Sequence, residues 1–210
     1  MKNWQCLQTS LAAGAVLSSE LEVTARTPLV VRHEQGESLL VHCEAACVWA
    51  RQMGAGAPVQ ETIRTPVTLR PSLEEYPTAT VLRQARGRIH LHLPDPRTVE
   101  AVDLDPEQVL AACRETGTHG VVLWSAAGAG RLRVRVFTTS LGGAEDTATG
   151  GAVLGVARLL GADGARGEYL ALQGPGDVER QGHLRIRIGD DGVLLGGEVL
   201  ALMSGELRAQ

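Results

Sequence analysis

Glu145 and Asp146 stand side by side before Thr147-Ala148-Thr149-Gly150-Gly151, and an alternating strand pattern (Arg131 to Phe137) and an apolar helical run (Ala152 to Leu160) bracket them. A strand that feeds a Gly/Thr-rich turn and then a helix aims the free N–H groups of the first helical turn, and the positive end of the helix dipole, at one place. Such a place takes an anion. With an acid pair at its rim, the same turn can hold a carboxylate or phosphate and present a proton acceptor to it. The plain alternative is an ordinary helix start, with Thr147 or Thr149 as the capping residue.

Other reactive residue types are spread more thinly. Cys43 and Cys47 are four apart, and no partner pair of His or Cys stands at zinc spacing, so no metal site is expected there. His90 and His92 share one strand face opposite Ile89, Leu91 and Leu93. Two ligands do not make a zinc site, and a solvated polar face is the expectation for them. Arg131, Arg133 and Arg135, like Arg185 and Arg187, fall on the outer face of amphipathic strands, where cross-strand pairing with Asp and Glu is expected rather than a nucleic-acid surface.

The elements that must position these residues are readable at moderate resolution. Thr9 to Leu17 reads as a short helix, followed by strands at Leu21–Ala25, Leu29–His33 and Leu39–Cys43. Residues 50–79 are rich in Gly, Pro and Thr and read as an interdomain crossing. Arg88 to Leu93 alternates strictly. Asp105-Pro106 with Gln108 signals a helix start, and the helix runs on through Val109 to Cys113. Strands are expected at Gly120–Trp124, Arg131–Phe137, Tyr169–Gln173, His183–Ile188 and Gly192–Ala201. At an offset of 143, Leu11, Val16 and Leu17 meet Leu154, Leu159 and Leu160, which suggests two related α+β halves, the first shorter. The expected division is residues 1–65 and 66–210, with the last strand returning to the first half.

Bulk composition narrows the classes. The chain has 210 residues, 44% hydrophobic, and a net charge of −4, enough for one sizeable core or two small ones. Aromatics at 3% leave few rings for stacking single-stranded nucleic acid, and the charge is wrong for a phosphate backbone. Four cysteines without CxxC spacing suggest a reducing cytoplasm. The apolar run Leu11 to Leu17 is interrupted by Gly14 and lacks a convincing cleavage signal, so no secretion is expected. No stretch is long and apolar enough to span a membrane.

The central stretch resembles the E-D-P-A-T-G-S-A signature of the PhzF-like (phenazine-biosynthesis) isomerase family, a branch of the diaminopimelate-epimerase-like fold, and Glu145 to Ala152 match it at six of eight positions. Arg133 to Phe137 resemble the family's preceding strand. Gly196-Gly197-Glu198-Val199 and Gly205-Glu206-Leu207 resemble its late Gly-Gly strand and ending, and Cys6 to Ala13 resemble, more weakly, its C-G-H-A-T-L-A-A turn. The resemblance implies an α+β fold of two pseudo-repeated halves, each wrapping strands around a central helix, with the first abbreviated. It implies proton transfer next to a carboxylate without metal or organic cofactor, in a cleft between the halves. Carried over position by position, Asp146 is the acid/base, with Glu145 beside it, and the N–H groups of Thr149, Gly150 and Gly151 form the anion turn. The family serine falls on Gly151 and its histidine on Gln8, which takes a substrate-binding place but cannot shuttle a proton near neutral pH. The family's catalytic glutamate has no counterpart. Cys6 falls where related racemases place a catalytic thiol, although a packed small-residue role is the plainer reading, and with Thr149 at the second thiol position a two-thiol mechanism is excluded.

Two functions follow. One is an isomerase or epimerase acting on a small carboxylate-bearing metabolite. The other is a family relative that has lost the chemistry and serves as an anion-binding or assembly protein. In either case a homodimer is expected, covering the sheet edge that the short first half leaves open.

Overall fold

The computed structural model describes residues 29–32, 38–44, 47–53, 59–69, 78–83, 87–176 and 181–198. The expected helix over Thr9–Leu17, the strand Leu21–Ala25, the residues Cys6 and Gln8 and the ending Gly205–Leu207 lie outside them. Two compact units divide between Ala55 and Gly56, where the sequence suggested 65, and the chain rejoins the first unit at Leu194.

In the first unit, strands β1 (Leu29–Arg32), β2 (Ser38–Glu44) and β3 (Cys47–Met53) form an antiparallel meander. The far part of strand β12 (Gly192–Glu198) adds to β3, with Gly196 opposite Trp49. The glycine is required there: a Cβ on Gly196 would lie 2.6 Å from the indole ring of Trp49, which is buried with Leu194.

The second unit carries β4 (Val59–Arg64), β5 (Thr78–Arg83), β6 (Arg88–His92), β7 (Gly120–Ala126), β8 (Arg131–Thr138), β9 (Glu145–Asp146), β10 (Gly167–Gln173) and β11 (Gly182–Gly189). Their order is β11-β10-β8-β7-β6-β5-β4, with β9 alongside β8. The β8/β10 and β6/β7 pairs are parallel and the other described pairs antiparallel. Residues 50–79 contain the division between the units, and they also hold the end of β3, all of β4 and the start of β5.

Helices cover both faces of this sheet. Helix α1 (Pro96–Ala101) and helix α2 (Pro106–Thr116) each start at an Asp-Pro pair. Asp95 accepts from the Thr98 N–H at 3.0 Å and from its hydroxyl, which together hold its carboxyl below the usual range. Asp105 accepts from the Glu107 N–H at 2.9 Å, whereas Gln108 closes no capping box and accepts instead from the Thr68 N–H at 3.0 Å. Under these helices Val99, Val102, Val109 and Ala112 meet Ile89, Leu91, Val121, Leu123 and Phe137 in one apolar cluster.

Helix α3 (Gly150–Ala162) occupies the other side. Its residues 152–157 are all buried, which no one-sided helix achieves. Gly155 packs on His90 of β6 and Leu82 of β5, while Gly161 faces Ile188 of β11. These strands lie far apart in the sheet order, so the sheet curls around α3 as a central helix.

That curl corrects two expectations. His90 is not on a solvated face: it is 2% exposed, pressed between the sheet and α3. Only His92, at the strand's end, is exposed, and its ring stacks on Trp124 at 4.0 Å. Alternation of polar and apolar residues separates wet from dry only where one face meets solvent, and here both faces are covered. Of the β8 arginines, Arg135 pairs across strands with Glu145 as expected, whereas Arg133 pairs with Glu100 of α1, which lies over that face, so Arg133 is 3% exposed.

Candidate active site

Strand β8 delivers the chain through a 3-10 turn (Thr139–Leu141) into β9, and the turn 147–149 then starts α3. Gly143 (φ +87°) backs this return onto the Pro106 carbonyl, where a Cβ would collide. Gly182 at the start of β11 meets the Thr147 carbonyl in the same way, so β11 packs closely against the turn.

Thr149 is the residue before α3, yet its side chain makes no capping bond to the helix. Its hydroxyl donates to Asp146 Oδ2 at 2.6 Å. The Ala148 N–H approaches Asp146 Oδ1 at 3.4 Å. An ordinary capped helix start is thereby ruled out for this hydroxyl: it serves the carboxylate. Among the described residues no acceptor meets the N–H groups of Gly150 and Gly151, which sit at the positive end of the helix dipole.

Thr149's own N–H is not free for a ligand. It donates to Gln173 Oε1 at 2.9 Å, and Gln173 Nε2 donates to the Asp146 carbonyl at 2.8 Å and to Thr149 Oγ1 at 3.0 Å. Gln173, at 0% exposed, was not singled out from sequence. Its one signal is a polar residue closing an apolar strand just before Gly174-Pro175-Gly176.

Glu145 is engaged elsewhere. Its carboxylate takes both arms of the Arg135 guanidinium, at 3.0 and 2.8 Å, with side-chain exposures of 17% and 14%. Arg135 also donates to the carbonyls of Val99, Glu100 and Val102 at the end of α1. Arg133 pairs with Glu100 at 3.1 Å and donates to the carbonyls of Val134, Leu172 and Gly174, the last two flanking Gln173. The two arginines thus tie both ends of the site's framework to α1.

Asp146, Thr149, Gly150 and Gly151 are therefore gathered in one place, with Glu145 turned into an ion pair beside them. Among the described residues no group of His, Cys, Asp and Glu is placed to hold a metal ion, and no helix is long and apolar enough to cross a membrane. Cys113 lies on the buried face of α2, and burial pushes its thiol pKa up, away from reactivity.

The model of the family described as phenazine biosynthesis-like protein, PhzC-PhzF, matches residues 20–205. No curated protein matches. Among solved structures, one described as a predicted epimerase from Pseudomonas aeruginosa aligns with a TM-score of 0.67 at 22% identity, over 96% of this chain and 73% of that one. A PhzF-family phenazine biosynthesis protein from Enterococcus faecalis gives 0.57 at 18%, over 90% and 68%. A protein described as a "probable proline racemase", from Agrobacterium radiobacter with bound carbonate, gives 0.55 at 13%, over 96% and 67%. The fold is the expected diaminopimelate-epimerase-like α+β fold.

Proposed function

This chain belongs to the phenazine biosynthesis-like PhzC-PhzF family, and from that premise we propose that it is an isomerase of the epimerase type, moving a proton next to the carboxylate of a small metabolite. The observation that carries this reading is the hydroxyl of Thr149. It is diverted from helix capping to Asp146, which leaves a carboxylate beside two N–H groups that meet no acceptor among the described residues.

In this reading the substrate carboxylate lies on the Gly150 and Gly151 N–H groups. These donors are fixed before the substrate arrives, so they stabilise negative charge as it grows without reorganising. Asp146 is the proton acceptor and, in the return step, the donor. Its position is set by Thr149, and the work is done by this chain's own residues without a cofactor. Glu145 holds β9 against α1 through Arg135 and takes no part in the proton transfer. Cys6 and Gln8 keep the roles that the resemblance implies, a packed or reactive thiol and a hydrogen-bonding contact to substrate.

The test is solvent exchange. The purified protein in heavy water, offered small cyclic and amino-acid-like carboxylates, is expected to incorporate deuterium at the carbon next to the carboxylate of its substrate. Absence of the family serine at Gly151 favours a second reading, in which the turn binds the anion without turnover. Saturable binding of a carboxylate with no deuterium incorporation would establish that reading and overturn the first.

A further inference from the structure

We propose that Gln173 is a positioning residue that acts through Thr149, fixing the direction of the hydrogen bond to Asp146 and withholding one N–H from the anion turn. The inference rests on the proposed proton-transfer reading for its consequence, but not for its geometry.

The orientation of the Gln173 amide is dictated by two backbone groups. The Thr149 N–H must meet an oxygen and the Asp146 carbonyl must meet an N–H. Only one arrangement satisfies both: Oε1 on Thr149 N at 2.9 Å and Nε2 on Asp146 O at 2.8 Å. A flipped amide would set two donors and two acceptors face to face in a fully buried place. The second hydrogen on Nε2 then falls on Thr149 Oγ1, at 3.0 Å. Since Oγ1 accepts that bond, its single hydrogen points along the remaining short contact, to Asp146 Oδ2 at 2.6 Å. The chain runs one way, from amide to hydroxyl to carboxylate, so Asp146 is held as an acceptor before any substrate arrives.

A second consequence concerns the turn. A helix start offers several free N–H groups, and with Thr149 N–H occupied by Gln173 the ligand is met by Gly150 and Gly151. The cradle is a two-donor one, which matches one carboxylate better than the three oxygens of a phosphate.

The experiment is NMR of the whole labelled chain in mixed light and heavy water. The Asp146 carboxyl carbon is expected to show a deuterium isotope shift transmitted from the Thr149 hydroxyl, lost in Thr149→Val. Its absence in the wild-type protein overturns the proposal. In Gln173→Met the shift should shrink, because the Thr149 hydroxyl still has Asp146 as its acceptor but is no longer held in line by Nε2. In Gln173→Glu it should vanish where the introduced carboxyl is ionised, because Thr149 then donates to that carboxylate. It should return on acidification, when the neutral carboxyl no longer competes with Asp146 for the Thr149 hydrogen. A purely structural role would leave Gln173→Glu independent of pH, and that result overturns the proposal as well. Acetate titration reads the other claim separately. The Gly150 and Gly151 amide resonances should move and that of Thr149 should stay; equal movement of Thr149 counts against Gln173. If no amide moves, the anion reading of the site fails, while the isotope shift still decides the role of Gln173.

Discussion

Arg135 and Glu145 show how a residue's chemistry is set by what it touches. An acid pair in sequence looks like two proton acceptors, but the bidentate guanidinium on Glu145 leaves Asp146 as the one carboxylate facing the turn. Removing one partner of a half-buried ion pair strands the other, so Glu145→Gln should lower unfolding stability by about 3 kcal/mol in denaturant titration. His90 makes a different prediction. Burial, and secondarily the Arg88 guanidinium, push its imidazole pKa down to about 3, and its Nδ1 has no hydrogen-bond partner among the described residues. The folded protein keeps this ring neutral where the unfolded chain, with an ordinary pKa near 6.5, takes up a proton. Stability is therefore lost as pH falls below about 6.5 towards 3. Between pH 7 and 5 the wild-type protein should lose about 2 kcal/mol more than His90→Leu, measured by urea unfolding at each pH.

Helix α3 turns a general rule around at Gly155. In an open helix, Ala in place of Gly stabilises by about 1 kcal/mol. Here a Cβ would fall 2.6 Å from Cε1 of the buried His90 ring, and overpacking of that kind costs about 1–3 kcal/mol. Gly155→Ala should lower the denaturation midpoint, and in a His90→Ala background the same change should become neutral or stabilising. At this scale much was legible in the sequence. Strict alternation marked β6 and β8, Asp105-Pro106 marked α2, and the apolar run after Gly151 marked α3. The same Asp-Pro signal stands at Asp95-Pro96, but only a short run follows it before Asp103, too little to mark a helix by period. Strand β4 was hidden because its exposed Gln60, Glu61 and Thr62 give no apolar period. The clamp by Gln173 was illegible for another reason: a buried hydrogen-bond partner 24 residues away leaves no trace in local pattern.

For the whole molecule, the central-helix fold brings the two N–H groups at the start of α3 and, among the described residues, one facing carboxylate together, and the chemistry we propose follows from that pairing and from the family match. The homodimer expected from sequence remains our proposal: light scattering behind size exclusion should give twice the mass of one chain, and a clean monomer at working concentration would refute it. The central claim is that Asp146, and not its neighbour, moves the proton. The most direct measurement compares deuterium incorporation from heavy water by the wild-type protein, Asp146→Asn and Glu145→Gln, each checked for folding. The account predicts that Asp146→Asn abolishes incorporation while folded Glu145→Gln retains most of it. Exchange that survives in Asp146→Asn, or disappears only in Glu145→Gln, would contradict it.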